Sequence, residues 1–580
     1  MNAERLLAHY ERIAGAPDAI ARLRSFILNL AVRGKLVLQD PKEEPASELL
    51  KRIAKERARR EKTRTLREQK SLPQISAEDI DFAICKGWQW VRLGDVIKLW
   101  NGFAFKSGDF QSEGVPVIRI GDLQGGVIEL SNAVYVSNAT AKTVGPEVWI
   151  PPDALLIAMS GATTGKTAFN RAGIPLLLNQ RVGRIEVFSG NVNYIRCFFE
   201  TIVNRNLSIS FGTAIPNLSI VQINETVIAL PPLAEQHRIV AKVDELMALC
   251  DRLEAARAER EAARDRLAAS TLARLNTPDP ATFQTDARFA LNTIPALTTR
   301  PDQIKQLRQT ILNLAVRGKL VPQDKKDEPA SKLLARLKKA QTVAYSGEGL
   351  RSRPPVIKLT RAEMWFEFPE SWSLSSFDDL FVIVSGVTKG QKIGANEAVD
   401  APYLRVANVQ RGHLDLAIIK NITVRRADVE RYSLLQGDIL MTEGGDWDKL
   451  GRAAIWHEEI PGCIHQNHIF RVRPPSEEIS SKWVTIYVNS LLGRRFFEDA
   501  SKQTTNLASI NMTQLRGCPF PLPPFAEQHR IVAKVDALMK ICDQLEASLD
   551  QTASTRRNLL DALLAEAISP TATRELEAAE

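Results

Sequence analysis

The sequence predicts an α+β protein in which two mixed α/β domains are joined and separated by long antiparallel coiled-coil helices, the whole forming an internal pseudo-two-fold repeat. Three observations lead there. Long segments recur unbroken and in the same order, a heptad-like run follows each copy, and the stretches between are rich in short β runs. ILNLAVRGKLV at Ile27–Val37 returns letter for letter at Ile311–Val321, and AEQHRIVAKVD at Ala234–Asp244 returns at Ala526–Asp536. Two identities of this length in one order mean duplication of a whole unit.

Taken along the chain, residues 1–86 read as an amino-terminal helical region and 87–232 as the first mixed domain. Residues 233–275 form a long central helix, 276–304 a linker containing Pro278, Pro280 and Pro295, and 305–370 the second copy of the helical region. The second mixed domain spans 371–524, a distal long helix 525–568, and a tail 569–580. The long helices follow Leu230-Pro231-Pro232 and Leu522-Pro523-Pro524, extended stops before a helical start. Apolar residues fall at Ile239, Val243, Leu246, Cys250 and Leu253, and again at Ile531, Val535, Leu538, Cys542 and Leu545, alternately four and three apart. That spacing is a coiled-coil seam, and helices of about 40 residues would run roughly 60 Å. The charged stretch Lys51–Gln69 reads as a solvated helix.

The middles match each other only weakly. VIRIGDLQGGVIEL (Val117–Leu130) lies over YLRVANVQRGHLDL (Tyr403–Leu416), and LNQRVGRIEV over HQNHIFRVRP. A kept frame around a diverged insert is the pattern of two heads that recognise different targets. Net charge of +8, from 76 Lys+Arg against 68 Asp+Glu, permits an anionic partner without demanding one. Six scattered cysteines without C-x-x-C spacing read as reduced thiols, and no stretch resembles a signal peptide or a membrane span. A cytoplasmic location is expected.

Several strings look catalytic and fail at a required position. SGATTGKT (Ser160–Thr167) approaches a phosphate loop, but Gly161 stands one residue too late. LPPL and LPPF approach the Pro-Pro-aromatic motif of adenine methyltransferases, with Leu230 and Leu522 where a polar residue is needed. Cys463, His465 and His468 could suggest zinc, but no fourth ligand is evident, so no metal site is expected. His237 and His529 recur within EQHR at helix starts and read as capping or docking residues. No catalytic residue is expected. Base-reading and phosphate-holding residue types concentrate in the middles: Lys106, Arg119, Lys166, Asn179, Gln180 and Arg181 in the first, and Lys389, Arg405, Lys449, Arg452, Gln466, Asn467 and His468 in the second.

The order of these segments resembles the specificity subunits of type I restriction–modification systems. It runs ILNLAVRGKLV with QDxxxEPAS, GWxWVRLGD, a variable domain, LPPLAEQHRIVAKVD and a long helix, all repeated. SGVTKGQKIG, MTEGGDWDKLGRAAIW and CIHQNHIFRVR resemble a target-recognition domain of that family. The resemblance implies a non-catalytic subunit whose two target-recognition domains each read one half of a split double-stranded DNA sequence. It implies helices that dock two methyltransferase subunits, with restriction/translocase subunits in the full complex. S-adenosylmethionine, ATP and Mg would then be bound by those partners and not by this chain. The alternatives are a self-sufficient methyltransferase or NTPase, and a coiled-coil scaffold with no DNA role.

Overall fold

The computed structural model describes residues 15–16, 18–63, 71–209, 218–350, 359–390, 392–445, 449–504 and 507–568. The chain divides into two compact units, Met1–Arg260 with Ala553–Glu580, and Glu261–Thr552. Its main helices are α1 (Ala19–Val32), α2 (Ala46–Lys62), α3 (Val192–Ile209), α4 (Leu233–Asn276), α5 (Phe283–Leu297), α6 (Pro301–Val316), α7 (Ala330–Gly347), α8 (Ser481–Asn489) and α9 (Phe525–Ile568). Both long helices, α4 and α9, have 44 residues, close to the expected length and about 66 Å end to end.

In the first unit, α1 carries the repeated ILNLAV string and buries Ile27, Leu28 and Ala31 against Ile239, Val243 and Cys250 of α4. The helix ends where Gly34 takes a positive φ of 69° and the Lys35 N–H donates to the Leu30 carbonyl at 2.9 Å. A side chain at Gly34 would meet the Cys85 thiol at 2.5 Å, so this position needs glycine twice over. The second unit repeats the stop at Gly318 (φ 64°), where an added Cβ would meet Pro369 at 2.4 Å.

Each head is tied off by a two-stranded clip. Strand β1 (Gln89–Arg92) enters the first head and the last strand of that head, Val227–Leu230, leaves it; the two pair antiparallel, Gln89 opposite Leu230. In the second head Ser373–Ser376 pairs with Pro519–Leu522 in the same way. Entry and exit therefore lie side by side, so the chain leaves each head where it entered it.

Within the first clip a six-stranded sheet contains β2 (Ile97–Asn101), β3 (Leu155–Ala158), β4 (Thr167–Phe169) and β5 (Val182–Val187), in the order β2–β5–β3–β4 followed by two short strands. A five-stranded sheet contains Val115–Ile118 and Leu176–Leu178, paired parallel. β3 reads LLIA and is buried on both faces. Leu155 and Ile157 join the core shared with α1 and α4, while Leu156 and Ala158 join the core between the sheets. Period-two alternation thus serves two cores at once. In the second head Ile439–Thr442 does the same, Ile439 and Met441 facing the helical core and Leu440 the inner one.

Within each unit the 4-3-4-3 seam packs against the repeat's own amino-terminal helix. Ile239, Val243 and Cys250 pack with α1, α2 and the clip of the first unit, with Leu246 half-buried beside them. Leu253 lines a small cavity with Ala19, Ile20 and Leu23. Ile531, Val535 and Cys542, flanked by Leu538 and Leu545, pack with Ile304, Ile311 and Ala315 of α6. A heptad stripe defines which face is apolar, not which helix covers it; here the repeat's own amino-terminal helix covers it within each unit.

The stretch read as a linker holds α5, which packs Ala290 against Leu275 and Leu314. Pro278 and Pro280 precede that helix and Pro295 falls in its last turn, so the composition of a linker and a short packed helix coincide. The charged helix read at Lys51–Gln69 is observed as α2 up to Lys62, and residues 64–70 lie outside the described residues. All six cysteines are free thiols. Among the described residues, no helix is long and apolar enough to cross a membrane.

Candidate nucleic-acid interface

Backbone hydrogen bonds, more than side chains, assemble the candidate residues of the first head. Asn179, Gln180 and Arg181 form the turn between Leu176–Leu178 and β5. The Phe103 N–H donates to the Leu178 carbonyl at 2.8 Å, and the Gln180 N–H donates back to the Phe103 carbonyl at 3.0 Å. Asn179 N–H reaches the Ile118 carbonyl at 3.2 Å, which sets Arg119 beside this turn. The Met159 N–H donates to the Arg181 carbonyl at 2.9 Å, and Ala158 N–H donates to Lys166 at 2.9 Å, so Lys166 stands at the next turn along. Lys106 follows Phe103 by three residues, its N–H held by Asp109 at 3.0 Å. The six side chains thus share one rim. Lys106, Arg119, Lys166, Gln180 and Arg181 are exposed and Asn179 is half-buried.

Gly102 makes this rim possible. A Cβ there would lie 2.0 Å from the Asn179 carbonyl oxygen. The second head repeats the device at Gly386, where a Cβ would lie 2.0 Å from the His465 carbonyl. Around Gly386 the same bonds recur: Gln466 N–H to the Leu404 carbonyl and Asn467 N–H to the Val387 carbonyl, both at 3.0 Å. Glu443 N–H donates to the His468 carbonyl at 3.0 Å, and Thr442 N–H to the Arg452 carbonyl at 3.0 Å. Gln466, Asn467 and His468 therefore occupy the places of Asn179, Gln180 and Arg181, and Arg452 that of Lys166.

The two rims carry different side-chain settings on this shared scaffold. In the second head Arg452 donates to Gln410 at 2.7 Å and His468 Nδ1 lies 2.5 Å from Glu443. The Lys389 ammonium sits 5.3 Å over the ring of buried Tyr403. Arg405, half-buried, donates to the Ile418 carbonyl at 3.3 Å, as Arg119 donates to the Asn132 carbonyl at 2.8 Å. The last residue of the short turn after each arginine caps it: Asp122 accepts the Arg119 N–H at 2.7 Å and Asn408 accepts the Arg405 N–H at 2.9 Å. Burial pushes the Asp122 carboxyl above its usual range, against the pull of that N–H and of the Arg119 charge. Lys449 contributes its carbonyl as acceptor for the Thr442 hydroxyl.

The catalytic look-alikes take structural roles. Lys166 is followed by strand β4 and not by a helix, so SGATTGKT lacks the helix N-terminus on which a nucleotide phosphate loop depends. The Pro231 and Pro523 carbonyls accept the side-chain amides of Gln236 and Gln528 at 3.0 and 3.2 Å. Cys463 is buried in the inner core of the second head, His465 is fully buried with Nδ1 3.3 Å from the Tyr432 carbonyl, and His468 is exposed. His465 is held neutral, its pKa lowered to about 3 by burial first and by Arg471 second. His237 lies 3.0 Å from the Asn191 amide and His529 packs edge-on against Phe525 at 4.6 Å.

Sequence reasoning found both repeated strings and missed that they are partners. Buried Glu235 of EQHR accepts the Gln39 amide at 2.6 Å and the Trp88 indole N–H at 2.9 Å. Arg238 pairs with Glu43 at 2.7 Å. In the second unit Gln323 donates to Glu527 at 2.5 Å and Arg530 pairs with Asp327 at 2.6 Å. Burial raises the carboxyls of Glu235 and Glu527, opposed by these donors. The clue in sequence was joint recurrence: QD, E/D and W change or stay with EQHR in both copies.

Comparison with known proteins identifies the family. Residues 85–260 and 369–553 each match the type I restriction modification DNA specificity domain. The specificity subunit of the Escherichia coli type I restriction enzyme EcoAI is 29% identical over 573 residues, covering 95% of this chain and 94% of that protein. The EcoEI specificity subunit of Escherichia coli is 29% identical over 561 residues, covering 94% of this chain and 93% of its own length. Among solved structures, the HsdS subunit of Thermoanaerobacter tengcongensis aligns with a TM-score of 0.40 and 18% identity, covering 84% of this chain and 98% of that one. The two matched regions bracket the two heads with their clips and the first turns of the long helices, so this chain belongs to the type I restriction–modification specificity family, as a DNA specificity subunit with two target-recognition domains.

Proposed function

We propose that the chain is a non-catalytic reader that binds double-stranded DNA through the two rims, one per half of a bipartite target. Methyltransferase subunits dock on its helices, and restriction/translocase subunits join them in the full complex. S-adenosylmethionine, ATP and Mg belong to those partners, which carry the chemistry in the cytoplasm. The observation that carries this reading is the pair of rims: the same glycine and the same backbone bonds hold Asn179, Gln180 and Arg181 in one head and Gln466, Asn467 and His468 in the other. Equal scaffolds with unequal donors and acceptors are what reading two different half-sites requires.

The test is reconstitution. Full chain mixed with its methyltransferase subunits should methylate DNA at a split sequence, while the chain alone transfers no methyl group. Replacing Arg181 or Lys166 by Ala should weaken binding to the first half-site, by about 1–3 kcal/mol for a base-reading side chain. Methyl transfer by the isolated chain would reinstate the enzyme reading. Undiminished DNA binding after loss of both rims would remove the interface assigned here.

A further inference from the structure

Among the described residues, only two large exposed apolar side chains are aromatic, Phe103 and Phe289, and Phe103 stands in the middle of the first rim with 44% of its surface exposed. A single exposed apolar side chain needs no explanation by itself. The construction around Phe103 is what sets it apart. Both of its backbone groups are committed, the N–H to Leu178 and the carbonyl to Gln180. The residue before it is the glycine that admits the Asn179 carbonyl, and its ring leans edge-on against Phe105 at 5.0 Å. Phe105 is itself buried, so the outer ring rests on the edge of the core. Its backbone is thus bridged to the Asn179–Gln180 turn, with Arg181 next along that turn and Lys106 three residues on. The second head has Val387 at this place, buried to 2% exposure, so the feature belongs to the first head alone.

Side-chain amides pair in two-point fashion with adenine N6 and N7 in the major groove, and the thymine of the same base pair presents its C5-methyl in that groove. An amide donor beside an exposed aromatic ring therefore matches both edges of one A·T pair. We infer that Phe103 is a specificity residue of the first target-recognition domain, covering the C5-methyl of a thymine whose adenine is read by the adjoining Asn179–Gln180 turn. The inference rests on the proposed reading that the rim meets DNA, and it adds the base pair that the rim selects.

The experiment uses full chain with its methyltransferase subunits and target duplexes in which each thymine of the first half-site is replaced singly by deoxyuridine, which lacks only the methyl group. Wild-type protein should lose affinity about fourfold at one position, the value of one buried methyl group. Phe103→Ala should bind the thymine duplex roughly tenfold or more weakly and become indifferent to deoxyuridine at that position. Phe103→Leu, a smaller change to a surface residue, should keep part of the methyl sensitivity. Binding to the second half-site should respond to neither variant. A Phe103→Ala protein that binds more weakly without any methyl-dependent position would overturn the inference, since a ring that wedges between bases would act this way. Unchanged affinity in Phe103→Ala, with Arg181→Ala weakened, would likewise overturn it and leave the rim standing. If Arg181→Ala and Lys166→Ala were also silent, the reading of the rim itself would fail.

Discussion

Replacing His465 by Leu should remove much of the acid sensitivity of the second head. His465 is fully buried, its ring faces the backbone of Tyr432 and Val384, and Arg471 and Arg473 add positive charge nearby. Those arginines are themselves tied to Glu348 and Asp438, at 2.5 to 2.7 Å, so the charges around the imidazole are largely paired. The folded protein holds the imidazole neutral down to about pH 3, whereas the unfolded chain protonates it near pH 6.5. Its contribution to stability is therefore complete above pH 6.5 and is lost as pH falls from there toward 3. Each pH unit in that window costs about 1.4 kcal/mol, or about 2 kcal/mol between pH 6.5 and 5. The first head has Leu178, fully buried, at the equivalent place, so the substitution is one the fold already accepts. Urea unfolding of wild type and His465→Leu at pH 7.5 and pH 5 measures the difference, and hydrogen exchange of residues 464–473 localises it. The His465 carbonyl accepts the Val387 N–H at 2.9 Å, so acid should loosen the second rim before the first. Equal losses of stability in both proteins between the two pH values would refute the reasoning.

Gly102→Ala should abolish reading of the first half-site while leaving the second intact, because the new Cβ would lie 2.0 Å from a backbone oxygen and the rim must open; half-site binding assays check this. Glu235→Ala should destabilise the first unit by about 1–3 kcal/mol, leaving the Trp88 N–H and the Gln39 amide unpaired in a buried place, as read by thermal unfolding. Glu235→Gln should become more favourable relative to wild type as pH rises, because burial raises the carboxyl and holding it ionised in the folded chain costs stability that the amide does not; unfolding followed across pH checks this. His468→Ala should relax one position of the second half-site only, as measured by selection from randomised duplexes.

The frame was legible in the sequence and its packing partners were not. Exact recurrence identified the helices, and the apolar stripe of Ile239, Val243 and Cys250 correctly marked a buried face. A stripe carries no information about what covers it, and within the first unit α1 packs against it. In the stretch read as a linker, proline content registers near the two ends of α5 and carries no sign of the helix itself. The rims were legible as residue types because the middles aligned at LNQR and HQNH. Their assembly was not, since it depends on backbone bonds between residues far apart, such as Met159 to Arg181. Phe103 escaped notice for the same reason. Only the closeness of Gly102 to Asn179 brings the backbone of Phe103 beside the polar readers.

The most direct test of the account exchanges one head. The clips at Gln89–Arg92 with Val227–Leu230, and at Ser373–Ser376 with Pro519–Leu522, mark where the chain enters and leaves each head. Residues 93–226 should be replaced by the corresponding segment of another family member, and cells carrying the chimera with its methyltransferase subunits should be sequenced for methylated adenine. The account requires one half of the split target to change to that of the donor protein and the other half to stay. A target changed in both halves, or in neither while methylation persists, would contradict it.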